Sequence, residues 1–193
     1  MKLKQIELAA FHEAGHAVIY HILGRRLRYI SAETNGEGMC MPMSDRPIYF
    51  EDGYSDLLHN EMRELCLISC AGFVAEAKTK WGYVKPEIAY KLGEAVNGIF
   101  PDSDYGNVRQ KLEFANNLSK SDFFNYTFFE EMHKMTVKLF EKSIVWLAAI
   151  KLGGKLLDSK DVSLTGDEVH AILEEEINWG AGIDKFLNPE VTT

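Results

Sequence analysis

Long apolar runs, basic blocks and paired cysteines are all scarce in this chain of 193 residues. The longest apolar run, Leu65 to Ala75 with Ser69 inside it, falls well short of the ~20 residues that a membrane-spanning helix requires. No membrane span is therefore expected. A formal net charge of -8 without any basic block argues against nucleic acid or an anionic lipid surface as the main partner. Three cysteines, Cys40, Cys66 and Cys70, make an odd set, and with no leader-like segment they read as reduced thiols of a cytoplasmic protein. Cys66 and Cys70 are four residues apart on an apolar helical stretch; without a C-x-x-C pair they read as core residues rather than metal ligands. Internal repeats and low-complexity segments are also absent.

What the chain does hold is His12-Glu13-Ala14-Gly15-His16, an H-E-x-x-H signature inside an apolar run with helical spacing. At ~100° and ~1.5 Å per residue, His12 and His16 fall ~40° and about one turn apart, so both imidazoles can reach one metal ion. Glu13 lies ~60° from His16, within reach of a metal-bound water but poorly placed as a ligand, which makes it the candidate general base. His21 lies ~180° around the helix from His12 and cannot share that metal; it reads as a packing or surface histidine. The longer H-E-x-x-H-x-x-G-x-x-H pattern fails, because Ile19 and Ile22 stand where its glycine and third histidine would be. Any third ligand must come from elsewhere in the chain.

The length and a hydrophobic content of 46% fit one globular domain spanning 1–193. A first helix is expected from about Leu3 to Leu23, with Ile6, Ala10, Ala14, Ala17 and Val18 in its buried stripe and Gly24 ending it. Arg25, Arg26 and Arg28 then suit the negative pole of its dipole. Asn35-Gly36-Glu37-Gly38 marks a turn between two short extended segments, a hairpin whose Ile30–Thr34 arm is the candidate edge for a peptide bound as an added strand. A loop follows from Ser44 to Gly53. A second helix over about Ser55 to Thr79, apolar on nearly every side in its second half, belongs at the centre of the fold. Pro86 can open a third reaching about Phe100, and Asp102-Ser103-Asp104 reads as an acidic helix start, where such residues usually act as caps. One long helix is expected from about Ser121 to Leu152, broken by Gly153-Gly154, and Thr165 to Glu168 is a capping box opening the last helix, to about Ile177.

Taken in order, these pieces resemble the peptidase domain of the FtsH family of membrane-bound, ATP-dependent zinc proteases. Ala10-Phe11-His12-Glu13-Ala14-Gly15-His16-Ala17 resembles the family's A-x-H-E-A-G-H-A block, and Cys70-Ala71-Gly72-Phe73-Val74-Ala75-Glu76 is similar to its G-G-R-A-A-E stretch. Ser103-Asp104-Tyr105 is similar to the S-N-D-[IL] segment whose Asp is the third zinc ligand, and Lys151 to Ile172 is similar to the closing region. The resemblance implies zinc held by His12, His16 and Asp104, with Glu13 catalytic. Gly106-Asn107-Val108 departs from the more helical residues of the family, which keeps Asp102 as an alternative ligand. The family's transmembrane segments and ATPase module do not occur in these residues.

The expectation is thus a mainly α, single-domain helical bundle with a small β-hairpin or ribbon beside the active-site helix. Its expected function is that of a stand-alone zinc metalloendopeptidase acting on unfolded or flexible polypeptides, with an ATPase or unfoldase in trans and homo-oligomerisation as partners the resemblance suggests. Two alternatives share the motif: a non-catalytic, zinc-organised protein-binding module, and a metal-dependent amidase acting on non-peptide substrates.

Overall fold

The computed structural model describes residues 4–43, 56–84 and 103–187. The loop expected over Ser44 to Gly53, the helix expected from Pro86 to Phe100, and Asp102 lie outside them. The fold is mainly helical with a small three-stranded antiparallel sheet. In chain order it runs α1 (Gln5–Ile22), β1 (Leu27–Ala32), β2 (Gly38–Pro42), α2 (Asp56–Trp81), α3 (Asp104–Ser119), α4 (Tyr126–Glu141), α5 (Ser143–Asp158), β3 (Ser163–Thr165), α6 (Gly166–Glu174) and the short α7 (Asp184–Leu187). No helix among the described residues is long and apolar enough to cross a membrane.

α1 and α2 form the centre. They come close together at Gly15, where a Cβ would lie 2.5 Å from the Ala71 carbonyl oxygen and 2.7 Å from the Ala75 Cβ. Only glycine opposite alanine lets two helix backbones come this near, and the approach carries the histidines of α1 onto the face of α2. α5 covers another side of α1, and Gly153 admits the Phe11 ring there, since a Cβ at 153 would lie 2.6 Å from it. Val18, Ile19 and Ile22 are wholly buried, each contributing roughly 1.5–3 kcal/mol relative to exposure. α3 and α4 pack on α2, which is buried without interruption from Cys66 to Gly72, as its all-round apolar character predicts. Cys66 and Cys70 are buried free thiols, and burial pushes the Cys66 thiol up beyond its usual range.

Two expectations are corrected. The long helix expected from Ser121 to Leu152 is two helices that meet at Lys142, whose ψ of 125° is extended, and Gly153-Gly154 lies inside the second of them. The break has a tertiary cause: α4 packs on α2 whereas α5 packs on α1, so the chain must change direction between them. The second correction concerns the sheet. β3 pairs with β1 through Tyr29, Ile30 and Ser31, giving the order β2-β1-β3. β1 is therefore the central strand, and Ile30 offers no free edge; among the described residues the outer strand on the hairpin side is β2.

Local chemistry explains the ends of several elements. Asn125 caps α4 by accepting from the amides of Thr127 and Phe128, and Thr165 with Glu168 forms the expected capping box of α6. The hairpin turns at Gly36, whose φ of 92° favours glycine, and the Asn35 side chain accepts from the Glu37 amide. Arg25 pairs with Glu61 and Glu64 of α2, so it ties α1 to α2 rather than only answering the helix dipole.

Candidate functional site

α1 presents His12 and His16 on the face turned to α2 and α3, one turn apart, as helical arithmetic requires. Each ring is oriented through Nδ1. His16 Nδ1 donates to the Ile68 carbonyl at 2.7 Å, and His12 Nδ1 lies 3.3 Å from Glu76 Oε2, both partners being on α2. With Nδ1 carrying the proton, the lone pairs of the two Nε2 atoms are left for a shared partner. Phe73 and His16 contact the His12 ring edge-on at centroid distances of 5.0 and 4.8 Å.

That shared partner is Asp104. Its Oδ2 lies 3.0 Å from His12 Nε2 and 3.1 Å from His16 Nε2. Ser103 is the N-cap of α3 and accepts from the Gly106 amide, which makes Asp104 the first helical residue, where the positive end of the helix dipole favours a carboxylate. The helix continues through Gly106-Asn107-Val108, so the departure from helical residues noted there does not disturb the turn. The structure thus brings His12, His16 and Asp104 together from two elements far apart in sequence, with one donor atom of each within 4.8 Å of the others.

Electrostatics tie the three into one unit. Burial works against a charged His12, yet the carboxylates of Asp104 and Glu76 outweigh it and raise its pKa well above the ordinary histidine value. His16 is raised too, with burial again opposed by Asp104. Burial would raise Asp104, but the two imidazoles win and hold its carboxyl far below the usual carboxylate range. Two nitrogens and a carboxylate oxygen that gather protons or a cation in this way are a donor set for a divalent metal.

Space for an ion is provided by Gly72. A Cβ built there would sit 2.4 Å from His12 Nε2 and 2.4 Å from His16 Nε2, so any side chain at 72 would fill the position beside both nitrogens. The donor set, its oriented second partners and this cradle together fit a bound metal.

Glu13 is 6% exposed and faces a groove of about 450 Å³ whose walls include His16, Asp104, Asn107 and Lys111. Its carboxylate nests against β2, where a Cβ at Gly38 would lie 2.6 Å from Glu13 Oε1. Burial raises its pKa, and the two histidines temper the rise. A carboxylate of raised basicity beside a metal position can accept a proton from water. β2 forms one side of this groove through Gly38, Met39, Cys40 and Pro42.

Gly72 and Glu76 were not singled out as site residues by motif reasoning, although both stand in the Cys70–Glu76 stretch that carries part of the resemblance. Their i, i+4 spacing, which sets cradle and histidine partner one turn apart on α2, is the signal that could have found them. His21 lies away from this centre, buried against His170 and Trp179, and so does not share its metal position. The chain matches no protein-family model and no curated protein in sequence, so the meaning of this centre rests on its own geometry.

Proposed function

We propose that the protein is a zinc metalloendopeptidase with the peptidase-domain fold of the FtsH family, in which His12, His16 and Asp104 hold the zinc and Glu13 is the general base. The observation that carries this reading is the convergence of both Nε2 atoms on Asp104 Oδ2 beside the side-chain-free position at Gly72, with buried Glu13 on the groove next to it. A metal that served only to organise the domain would have no use for a basic carboxylate at an open position.

Zinc, when bound, would supply Lewis-acid polarisation of the scissile carbonyl and acidify a water. The protein's own residues do the rest. Glu13 takes the proton from the attacking water and delivers it to the leaving amine, a transfer matched to its raised pKa. Ile68 and Glu76 keep the histidines in the ligand tautomer. The edge of β2 supports a polypeptide rather than a small amide as substrate, because an extended chain can pair with that strand while its scissile bond crosses the groove.

Substitution of Glu13 by Gln tests the reading. Glu13→Gln is expected to keep the bound zinc and to lose cleavage of a disordered polypeptide, by metal analysis and a cleavage assay on the same preparation. Cleavage at the wild-type rate would remove Glu13 from the mechanism.

A further inference from the structure

The far side of α1 carries a second group of metal-binding side chains, independent of the centre just described. His170 and Glu174 are one turn apart on α6, spacing that sets both on one helix face. His21 of α1 meets them there: a ring nitrogen of each histidine and a carboxylate oxygen of Glu174 lie within 4.8 Å of one another. His21 Nε2 is 3.4 Å from Glu174 Oε2.

Hydrogen bonding has prepared these groups in a way that packing alone would not need. His21 is 2% exposed and donates through Nε2 to the Ile177 carbonyl at 2.7 Å, which leaves Nδ1 a buried lone pair. Neither His21 Nδ1 nor His170 Nδ1 has a hydrogen-bond partner among the described residues. A buried polar nitrogen left unpaired is unfavourable, and here two occur side by side. An imidazole that donates one N–H to a backbone carbonyl and keeps the other nitrogen bare has the arrangement of a metal ligand. Glu174 is oriented as well, accepting from the Trp179 amide at 2.9 Å, while the Trp179 ring stands edge-on to His170 and His21 at 4.9 and 5.3 Å. Three arginines also line the mouth of this site: Arg25 is paired with Glu61 and Glu64, the Arg26 guanidinium stacks over the Trp179 ring at 6.0 Å, and Arg28 Nε donates to the Met43 carbonyl. A cavity of about 400 Å³, lined in part by His21, His170, Thr165 and Trp179, leads to the histidines and leaves room for water to complete a coordination shell.

We propose that His21, His170 and Glu174 form a second site for a divalent transition metal of the zinc class, which fastens the C-terminal end of α1 to α6 and to the turn that follows it. The backbone already joins these parts, for Gly180 N–H donates to the His21 carbonyl and Gly182 N–H to that of Ile22. A metal adds a tie that holds the active-site helix at the end away from His12. The inference does not depend on the peptidase reading.

The test counts metal in tag-free full-length protein equilibrated with Zn²⁺, and separately follows quenching of tryptophan emission by Ni²⁺. Wild type is expected to bind two zinc ions per chain and His12→Ala/His16→Ala one. His170→Gln/Glu174→Gln is expected to fall to one, with the helical circular-dichroism signal kept. Ni²⁺ should quench the Trp179 share of the emission, from one of three tryptophans, in wild type and in His12→Ala/His16→Ala, and should fail to do so in His170→Gln/Glu174→Gln. If His170→Gln/Glu174→Gln binds as much zinc as wild type and is quenched equally, the site does not exist. The proposal is equally overturned if folded His12→Ala/His16→Ala binds none. Wild type that holds both ions yet cleaves no disordered polypeptide would count against the peptidase reading alone.

Discussion

Gly72 stands so close to His16 that a Cβ at position 72 would lie 2.4 Å from the His16 Nε2, nearer than any non-bonded carbon can approach. The nitrogen's other end is fixed by the Ile68 carbonyl one turn earlier on the same helix, so the ring cannot retreat. Gly72→Ala is therefore expected to abolish zinc binding at the His12–His16–Asp104 centre, as His12→Ala/His16→Ala does, while leaving the helical content unchanged. Isothermal titration with zinc, paired with circular dichroism, checks both halves; undiminished binding would mean that the cradle is not where the ion lies.

Asp104 and Glu76 should separate by magnitude. Asp104 contacts both Nε2 atoms and is the only carboxylate that does so among the described residues, whereas Glu76 contacts only the Nδ1 of His12. Glu76→Gln is expected to weaken zinc affinity by about 10–100-fold, the usual effect of losing a ligand's orienting partner. Asp104→Ala should weaken it further, and Asp102→Ala should leave it unchanged. A competition titration against a chromogenic chelator gives the order, and a larger effect at 102 than at 104 would reassign the ligand.

The outer edge of β2, unpaired among the described residues, makes a directional prediction about substrates. A peptide pairing with Gly38–Pro42 uses alternate backbone amides. N-methylation of two alternate substrate amides in one parity removes two hydrogen bonds, at about 1 kcal/mol each, and is expected to lower kcat/KM roughly 30-fold. Methylation in the other parity should matter little. Global unfolding costs ~5–15 kcal/mol, so a tightly folded protein should resist cleavage where a destabilised variant with the same cut site is digested. Equal sensitivity to both methylation patterns, or equal digestion of the two proteins, would remove strand pairing from the account.

His133 in α4 supplies a pH-dependence away from the metal centre. It is 1% exposed, and burial lowers its pKa to about 4, with Glu130 offsetting a little of the effect. A histidine held neutral in the folded state and ordinary in the unfolded state leaves stability intact above about 6.5 and removes it as pH falls from there towards 4. Between pH 7 and pH 5 this group should cost about 2 kcal/mol, a loss that His133→Gln is spared. Urea unfolding of both proteins at the two pH values measures the difference, in which the shared contribution of the metal-site groups cancels. Parallel losses would show that His133 titrates normally.

The helix period alone sets His12 and His16 one turn apart with Glu13 beside them, and the capping box at Thr165 and the turn at Gly36 are equally local. Each depends on residues within about one turn of one another, which is the range over which a sequence pattern constrains a backbone. Everything that makes a centre of these pieces comes from packing. Asp104 stands 88 residues from His16, and it was singled out through a resemblance rather than through any spacing. The nitrogen of His16 finds the Ile68 carbonyl, and Gly72 opens its cradle, only because Gly15 allows α1 to settle on Ala71 and Ala75. β1 became a central strand because β3 arrives from beyond α5, and the expected long helix divides at Lys142 because its halves serve different neighbours. His21 shows the same limit, since its place on the far face of α1 follows from the period but its meeting with His170 does not. Periodicity says which face of an element is apolar; which other face will cover it depends on the sum of contacts over the whole chain, and that sum is decided only in the folded structure.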